Sequence, residues 1–524
     1  MTLGQRTVAA LQWGLLIAAV GILEWGARSG VIDRLTFVPI GEIWKSLVAG
    51  LSSGRFLPQL LYSGQVMVEA FLLAVGLGIP LGYALSRTPR VYGWIRPYIE
   101  SYYCLPIFVF YPVAVAMMGL SRWPALIIVW MWAVGGVIVN TVIGFNRVPA
   151  SLEKYCRSVH LSEWRKIMWM RLPAAFPSIL TGIKLAVVYS ISGTVGVEFI
   201  LSSRGVGRLI NYAFSDFRTA EMYSLILIVL AVAAVCHLVL DRIESRLLKL
   251  RGRAVDHGGA MTAGRSLGGS RGGFSPNSRR NFAEMLVVPA ILLVLWYALV
   301  AAVGADKLAP PTAAVAALWD DFRDGSLMQV FDGTIRDTFS AFAISTAIGL
   351  ALGAAFGRSE ALRKVFGPWI TATYTVPKIV LFPILLFLFG LGSTSRIAYG
   401  VLHAAPAIML FTIAGILAVN PGHMKYATSV QLSQWKVFRF ITLPSALPEI
   451  ISGLRLGLGM CFLGVLVGEM LFGASDGTGY AIVHSAIAND TPRLMALVVS
   501  VFLLVLSMNY IMGLIQRVVD HAHN

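Results

Sequence analysis

Charge is what this chain has least of. Only 13% of its 524 residues are Asp, Glu, Lys or Arg, and the acids (26) are far outnumbered by the bases (42). With 57% hydrophobic residues and a mean hydropathy of +0.74, so much apolar surface cannot be hidden in a soluble core. Cysteine is nearly absent as well: Cys104, Cys156, Cys236 and Cys461 show no metal-ligand spacing and are read as packing residues. The sequence has no Gly-x4-Gly-Lys-Ser/Thr phosphate loop, so the chain is not expected to hydrolyse ATP itself. It also has no His/Asp/Glu cluster at catalytic spacing, so no catalytic residue and no metal site are assigned.

What is present is a set of twelve long apolar runs, each able to span a hydrocarbon core as a helix. In the first half they are Ala9–Ala27, Val66–Leu85, Tyr102–Leu120, Ala125–Phe145, Phe176–Leu201 and Tyr223–Leu240. In the second they are Phe282–Val303, Ala341–Phe356, Ile370–Leu391, Ile397–Val419, Leu447–Phe472 and Leu494–Ile515. The expected fold is therefore an all-α polytopic membrane protein. The first run follows Arg6 and resembles a signal peptide, but its length and its counterpart at Phe282 mark it as a retained helix.

The formal charge of +16 would suggest nucleic acid in a soluble protein. Here Arg87, Arg90 and Arg96, the group Lys154, Arg157, Arg165, Lys166 and Arg171, and the stretch after Asp241 all fall on one side of the membrane if the N-terminus is inside. This is the positive-inside pattern, which points to the lipid bilayer and no nucleic acid, with both termini cytoplasmic.

One stretch occurs twice. Tyr155 to Gly182 contains Leu161-Ser162-Glu163-Trp164 and closes on Leu172-Pro173-Ala174-Ala175-Phe176-Pro177; Tyr426 to Gly453 contains Leu432-Ser433-Gln434-Trp435 and closes on Leu443-Pro444-Ser445-Ala446-Leu447-Pro448. The displacement is 271 positions throughout (426 − 155, 444 − 173), and it also relates Pro39 to Pro310, Gly78 and Gly82 to Gly349 and Gly353, and Lys184 and Glu198 to Arg455 and Glu469. The chain divides accordingly into a first half, 1–241, a flexible basic linker rich in Gly, Ser and Arg, 242–281, and a second half, 282–524. Each half carries six spans and one polar loop, at about 153–172 and 424–443. Halves with an even number of helices run parallel, so both loops face the cytoplasm around an axis along the membrane normal.

Each loop reads as a short amphipathic helix, a break, and a second short helix that ends at Leu-Pro before the next span. Leu161, Trp164, Ile167 and Met168 would share a face, and Leu432, Trp435, Val437 and Phe438 do so less neatly. An exposed aromatic on such a helix suits a partner's groove; an interfacial helix on the headgroups is the plainer alternative. In the third span of each half, Pro106 and Pro112 match Pro377 and Pro383. Paired prolines remove backbone donors, so the span must bend or open, either to line a pathway or only to pack. Lys378 follows Pro377 where the first half has Ile107; it fits an anionic substrate or gate, or a structural pair or snorkel. Glu198 and Glu469, at the outer ends of their spans, fit loop bracing or an outer gate.

Val376-Pro377-Lys378-Ile379 with Phe382-Pro383 and Phe389-Gly390-Leu391-Gly392, together with the Ser-x-Trp and Leu-Pro-x-Ala-x-Pro elements of both loops, resembles the permease subunits of ABC importers. The similar branch serves sulfonates, taurine, nitrate and pyrimidine precursors. The resemblance implies a type I importer permease fold in a bacterial inner membrane, with two permease halves fused in one chain. It implies two ATP-binding cassette subunits on the loops, at Lys154, Tyr155, His160, Ser162, Trp164 and Pro173 and at Lys425, Tyr426, Gln431, Ser433, Trp435 and Pro444. It also implies a periplasmic or extracellular solute-binding protein. ATP and Mg would belong to the partner subunit, with no cofactor in this chain. The solute would be small, polar and anionic. Where the family carries Glu-Ala-Ala and then a glycine, this chain has Lys154-Tyr155-Cys156 with His160, and Lys425-Tyr426-Ala427 with Gln431. An ion-coupled secondary transporter is the rival reading; it requires acids near the bilayer midplane.

Overall fold

The computed structural model describes residues 4–102, 106–249, 286–471 and 476–523. Among these, regular structure is helical throughout. The first half runs α1 (Gln5–Ser29), α2 (Ile40–Ser52), α3 (Leu57–Arg87), α4 (Pro89–Tyr102), a 3-10 turn (Ile107–Val109) leading into α5 (Phe110–Met118), α6 (Arg122–Asn146), α7 (Ala150–Ser158), α8 (Glu163–Lys166), α9 (Leu172–Leu201), α10 (Val206–Ser215) and α11 (Thr219–Lys249). The second half repeats this order as α12 (Val287–Val303), α13 (Pro311–Arg323), α14 (Ser326–Arg358), α15 (Glu360–Thr375), a 3-10 turn (Lys378–Leu381) leading into α16 (Phe382–Phe389), α17 (Ser393–Leu417), α18 (Pro421–Ser429), α19 (Gln434–Val437), α20 (Leu443–Leu471), α21 (Thr478–Ile487) and α22 (Thr491–His523).

Nine described helices are long and apolar enough to cross a membrane, and three shorter apolar helices, Ile107–Met118, Val287–Val303 and Lys378–Phe389, stand where the other expected spans fall. The two expected third spans are therefore not continuous. Each is an amphipathic helix, a break at proline, and a short helix of about two to three turns. Pro106 and Pro377 sit at the break, and Pro383 lies in the first turn of α16, where its missing N–H costs nothing. Tyr103 and Cys104 lie outside the described residues, as do 250–285, which hold most of the expected linker. The first eight residues of that linker, 242–249, instead continue α11 to Lys249.

Each half is built on a bundle of its second, fourth and fifth spans, α3, α6 and α9 or α14, α17 and α20. Glycine sets how closely the first two meet. A β-carbon on Gly78 would lie 2.8 Å from Val137, and one on Gly353 would lie 2.5 Å from Thr412. These positions are packing sites, as close-approach glycines in membrane helices are expected to be.

The halves interlock. α1 lies against α15 of the second half, where Gln12 Nε2 donates to the Lys364 carbonyl at 3.0 Å, and α12 reciprocates against α4. α5 packs on α21 and α22, while Phe387 of α16 meets Phe214 with ring centroids 4.8 Å apart. Because each broken helix is inserted against the opposite half, neither half buries its own apolar surface alone. At the centre the two 3-10 turns approach each other: a β-carbon on Gly196 would lie 2.7 Å from Ile379 Cδ1 and 2.8 Å from Phe108 Cε1. Phe108 and Ile379 are sequence equivalents, so they meet beside the pseudo-twofold axis, and both are buried.

Candidate functional site: two loops and two broken helices

The loops are built alike. In the first, α7 ends in a left-handed residue, His160, with φ of 47°, and Leu161 N–H donates to the Cys156 carbonyl at 3.2 Å. In the second, Gln431 has φ of 51°, its N–H donates to the Thr428 carbonyl at 3.1 Å, and Leu432 N–H donates to the Ala427 carbonyl at 3.0 Å. This six-to-one closure is the Schellman ending that glycine usually serves. The turn is made here without glycine; His160 and Gln431 hold it at a conformational cost of order 1–2 kcal/mol each. Ser162 and Ser433 then stand at the N-cap of the next helix, but only Ser433 caps it with its side chain, Oγ accepting from Lys436 N–H at 3.4 Å.

One expectation fails here. The second short helix does not end at Leu-Pro. It widens into a π-helical turn, Ile167–Arg171 or Phe438–Thr442, and runs on without interruption into α9 or α20. Pro173 and Pro444 fall at the first turn of those long helices, where proline is tolerated. The wider turn before them relieves the ring's clash with the carbonyl four residues back. Within that geometry the two faces first expected are not single stripes: Trp164 and Met168 are exposed, whereas Leu161 and Ile167 are half-buried.

The outer surface of each loop is aromatic. Trp164 is 67% and Trp435 61% exposed, next to exposed Tyr155 and Trp169 in one copy and exposed Tyr426 and Phe440 in the other. Lys154 and Lys425 are exposed too, while Cys156 and Ala427 are buried beneath them and seat the helix. The loops differ in charge. Lys166 Nζ donates to Glu163 Oε1 at 2.8 Å and Arg171 lies 3.6 Å from Glu163, whereas Gln434, Val437 and Thr442 occupy those positions in the second copy.

Where the two broken helices approach each other all four prolines are buried. Half-buried Lys378 donates to the His403 carbonyl at 3.4 Å, and the His403 ring stands edge-on to Tyr399 at 4.5 Å. The equivalents of Lys378 and His403 are Ile107 and Trp132. Trp132 stacks on Tyr189 and meets Phe108 edge-on, both at 4.9 Å. The two halves therefore differ here: a lysine and a histidine in the second stand at positions equivalent to an isoleucine and a tryptophan in the first.

Glu198 and Glu469 stand at the far ends of α9 and α20 and are held by matching bonds. Ser63 Oγ donates to Glu198 at 2.7 Å and accepts from Val206 N–H at 2.9 Å, and Gly207 N–H donates to Glu198 at 3.0 Å. In the second half Thr334 Oγ1 takes the place of Ser63, at 2.9 Å from Glu469 and 2.9 Å from Thr478 N, and Gly479 N–H donates to Glu469 at 2.8 Å. These carboxylates fasten the loop that follows their own span. The loop glycines are obligatory: Gly205 and Gly477 have φ of 109° and 101°, and a β-carbon on either would strike the carboxylate. Shared hydroxyls at an offset of 271 could have marked Ser63 and Thr334 from sequence.

Beside the second clamp lies a network that sequence reading misses. Buried Arg396 approaches Asp337 with Nε 3.1 Å from Oδ2, without hydrogen-bond alignment, and donates to Asp476 at 3.0 Å. The first half has Ala125, Val66 and Arg204 at these places, and its acid–base pair, Arg122 with Glu69, lies one turn away and half-exposed. Among the described residues no group of three His, Cys, Asp or Glu side chains could hold a metal, and no disulfide links the described cysteines.

Two interlocked six-span units, with matched aromatic loops and opposed broken helices, define a duplicated membrane transport component. The chain belongs to the family described as Binding-protein-dependent transport system inner membrane component, which matches it twice, over residues 74–249 and 345–522. It is similar to the taurine transport system permease protein TauC of Escherichia coli, 30% identical over 200 residues, covering 37% of this chain and 72% of TauC. It is similar to the nitrate import permease protein NrtB of Synechococcus elongatus, 27% identical over 253 residues, 46% of this chain and 90% of NrtB. It is also similar to the glycine betaine/proline betaine permease protein ProW of Escherichia coli, 25% identical over 251 residues, 46% of this chain, and spans only 64% of that protein's length.

Proposed function

We propose that this chain is the fused transmembrane permease component of an ATP-driven importer, moving a small polar, anionic solute inward by alternating access. The observation that carries the reading is the pair of aromatic loops, presented in matched form at positions 271 apart on a duplicated transport fold. Two ATP-binding cassette subunits, which would hold the ATP and Mg, dock on these loops, each taking the exposed tryptophan into a groove. A solute-binding protein delivers from the opposite face. Both loops and both termini are cytoplasmic, as the distribution of Lys and Arg supports. Membership of a transport family whose relatives are named for taurine, nitrate and betaine uptake supports a small solute, and Lys378 supports a negative one. The lysines at 154 and 425, where the family carries an acid, call for an ATPase groove of altered charge.

The test is to tag the chain, purify it gently from its native membrane and identify what accompanies it, beside a variant carrying Trp164→Ala and Trp435→Ala. A nucleotide-binding subunit recovered with the parent and lost from the variant is the expected result. A well-folded chain that retains no ATPase in any of several mild detergents would overturn the reading in favour of an ion-coupled transporter.

A further inference from the structure

The two halves share a backbone on the face opposite the loops, but not a charge. α9 and α20 run away from the loops for 30 and 29 residues, about 45 Å at 1.5 Å per residue, and the clamps at Glu198 and Glu469 then turn the chain into α10 and α21. Each of these short helices reaches the opposite half. Phe214 of α10, and Phe217 just beyond it, meet Phe387 of α16, and α21 packs on α5. They therefore flank the pseudo-twofold axis.

Along this stretch the offset is 272, one residue being added before Gly477. Residues 204–218 hold three arginines and one aspartate, whereas their equivalents, 476–490, hold two aspartates and neither arginine nor lysine. Arg204 becomes Asp476, Arg208 becomes Tyr480 and Arg218 becomes Asp490. Arg204, Arg218, Asp476 and Asp490 are exposed, and half-buried Arg208 lies over the Tyr212 ring at 4.6 Å. Arg218 is balanced by Asp216 and Glu221, each at 2.8 Å, but Arg204 and Arg208 form no ion pair among the described residues. Asp476 stays 61% exposed although it binds Arg396. The neighbouring outer helices differ in the same sense. Residues 45–55 carry Lys45, Arg55 and no acid, and their equivalents, 316–326, carry Asp320, Asp321 and Asp324 with Arg323. Even the ion pair from this segment to the last span is inverted: Arg55 meets Glu221 in the first half, and in the second Asp321 lies 3.3 Å from Arg493, the equivalent of Glu221.

A duplicated backbone offers an unsymmetrical partner two orientations, half a turn apart, that shape alone hardly separates. Opposite charges on the two halves do separate them, because one orientation joins unlike charges and the other opposes like ones. The loops, each serving a partner of its own, instead keep lysine, tyrosine and tryptophan in both copies. We propose that the outer face is a polarised docking surface that seats the solute-binding protein in one orientation, with an acidic patch of that protein on Arg204 and Arg208 and a basic patch on Asp476 and Asp490. The assignment rests on the reading that a binding protein delivers solute here, which membership of a binding-protein-dependent family supports.

The experiment uses the assembled complex in phosphatidylcholine nanodiscs, where no anionic headgroup competes for the arginines. A photocrosslinking residue at Tyr212 or, separately, at its equivalent His484 captures the binding protein from the native soluble proteins of the outer compartment, and the joined peptides are mapped. Two different segments are expected, an acidic one from Tyr212 and a basic one from His484. The captured protein, once purified, should bind about tenfold more weakly to a variant carrying Arg204→Asp and Arg208→Tyr, which copies the second half's own residues, and less steeply with salt. Changing the acids of its Tyr212-linked segment to lysine should restore binding to this variant and not to the parent, an exchange that a misfolded variant would not show. Capture of one and the same segment from both positions, or unchanged affinity and salt dependence in the variant, would overturn polarised docking and leave the importer reading standing. Capture of no soluble protein from either position would overturn delivery by a binding protein, and the docking with it.

Discussion

His160 and Gln431, 271 positions apart, both hold a left-handed backbone at the point where α7 and α18 turn into the capped helix that follows. Glycine adopts that conformation at lower cost than either, histidine tolerating it better than glutamine, and both side chains are exposed, so burial does not account for them. Glycine at both positions should raise the stability of the chain by up to about 1 kcal/mol, read as an upward shift in thermal unfolding. If the side chains contact the ATPase, the same variant should lose coupled ATPase activity while gaining stability. A fall in unfolding temperature would show instead that the turn is held by side-chain interactions.

Ser63 and Thr334 are expected to be worth more than exposed hydroxyls. Each bridges a buried carboxylate to the backbone of the following loop. Ser63→Ala or Thr334→Val leaves both the carboxylate and a backbone N–H short of a partner, at a cost of about 1–3 kcal/mol. Proteolysis of the 202–207 segment in Ser63→Ala membranes should accelerate, because the loop loses its tether before the helix does. Unchanged protection would mean that the bond from Gly207 to Glu198 suffices.

Arg396 and Asp337 offer a test that uses the duplication itself. Removing Arg396 alone strands a buried carboxylate and should cost about 3–5 kcal/mol. Replacing both residues by their first-half equivalents, Arg396→Ala with Asp337→Val, should restore most of that loss, since apolar replacement of a buried pair is often neutral or better. The comparison is a double-mutant cycle read by thermal or denaturant unfolding, and strict additivity would show that the two residues are not coupled.

Much of this was legible because a duplication tests itself. The constant offset of 271 by itself relates both halves, both loops, the close-packed glycines and the end-of-span acids. The prolines at 106 and 377 announced a broken third span, although not that each short piece would be inserted into the opposite half. What could not be read is what the halves do not share. Arg396 has no charged twin at Ala125, and its partner Asp337 is a helix away at a sequence separation carrying no periodic signal. Leu172-Pro173 misled for a different reason: proline ends a helix from within but is compatible with the first turn of one. The sequence does not distinguish a stop from a start that follows a π-turn.

Lys378 carries the remaining prediction, since it is the charged residue at the broken helices that the first half lacks. Its equivalent is Ile107, and the residue beside it, Ile379, meets Phe108 next to the axis. If the ammonium receives an anionic solute, Lys378→Met should reduce uptake of the native system's solute by about tenfold or more, the scale of one charge-assisted bond. Assembly with the ATPase and the unfolding temperature should stay near the parent values, and Lys378→Arg should recover part of the uptake. A structural lysine predicts the reverse: Lys378→Met would lower the unfolding temperature and the yield of assembled complex together, with uptake falling only in proportion to the complex that remains. Measuring uptake per assembled complex separates the two, because only a lysine that touches the solute changes that ratio.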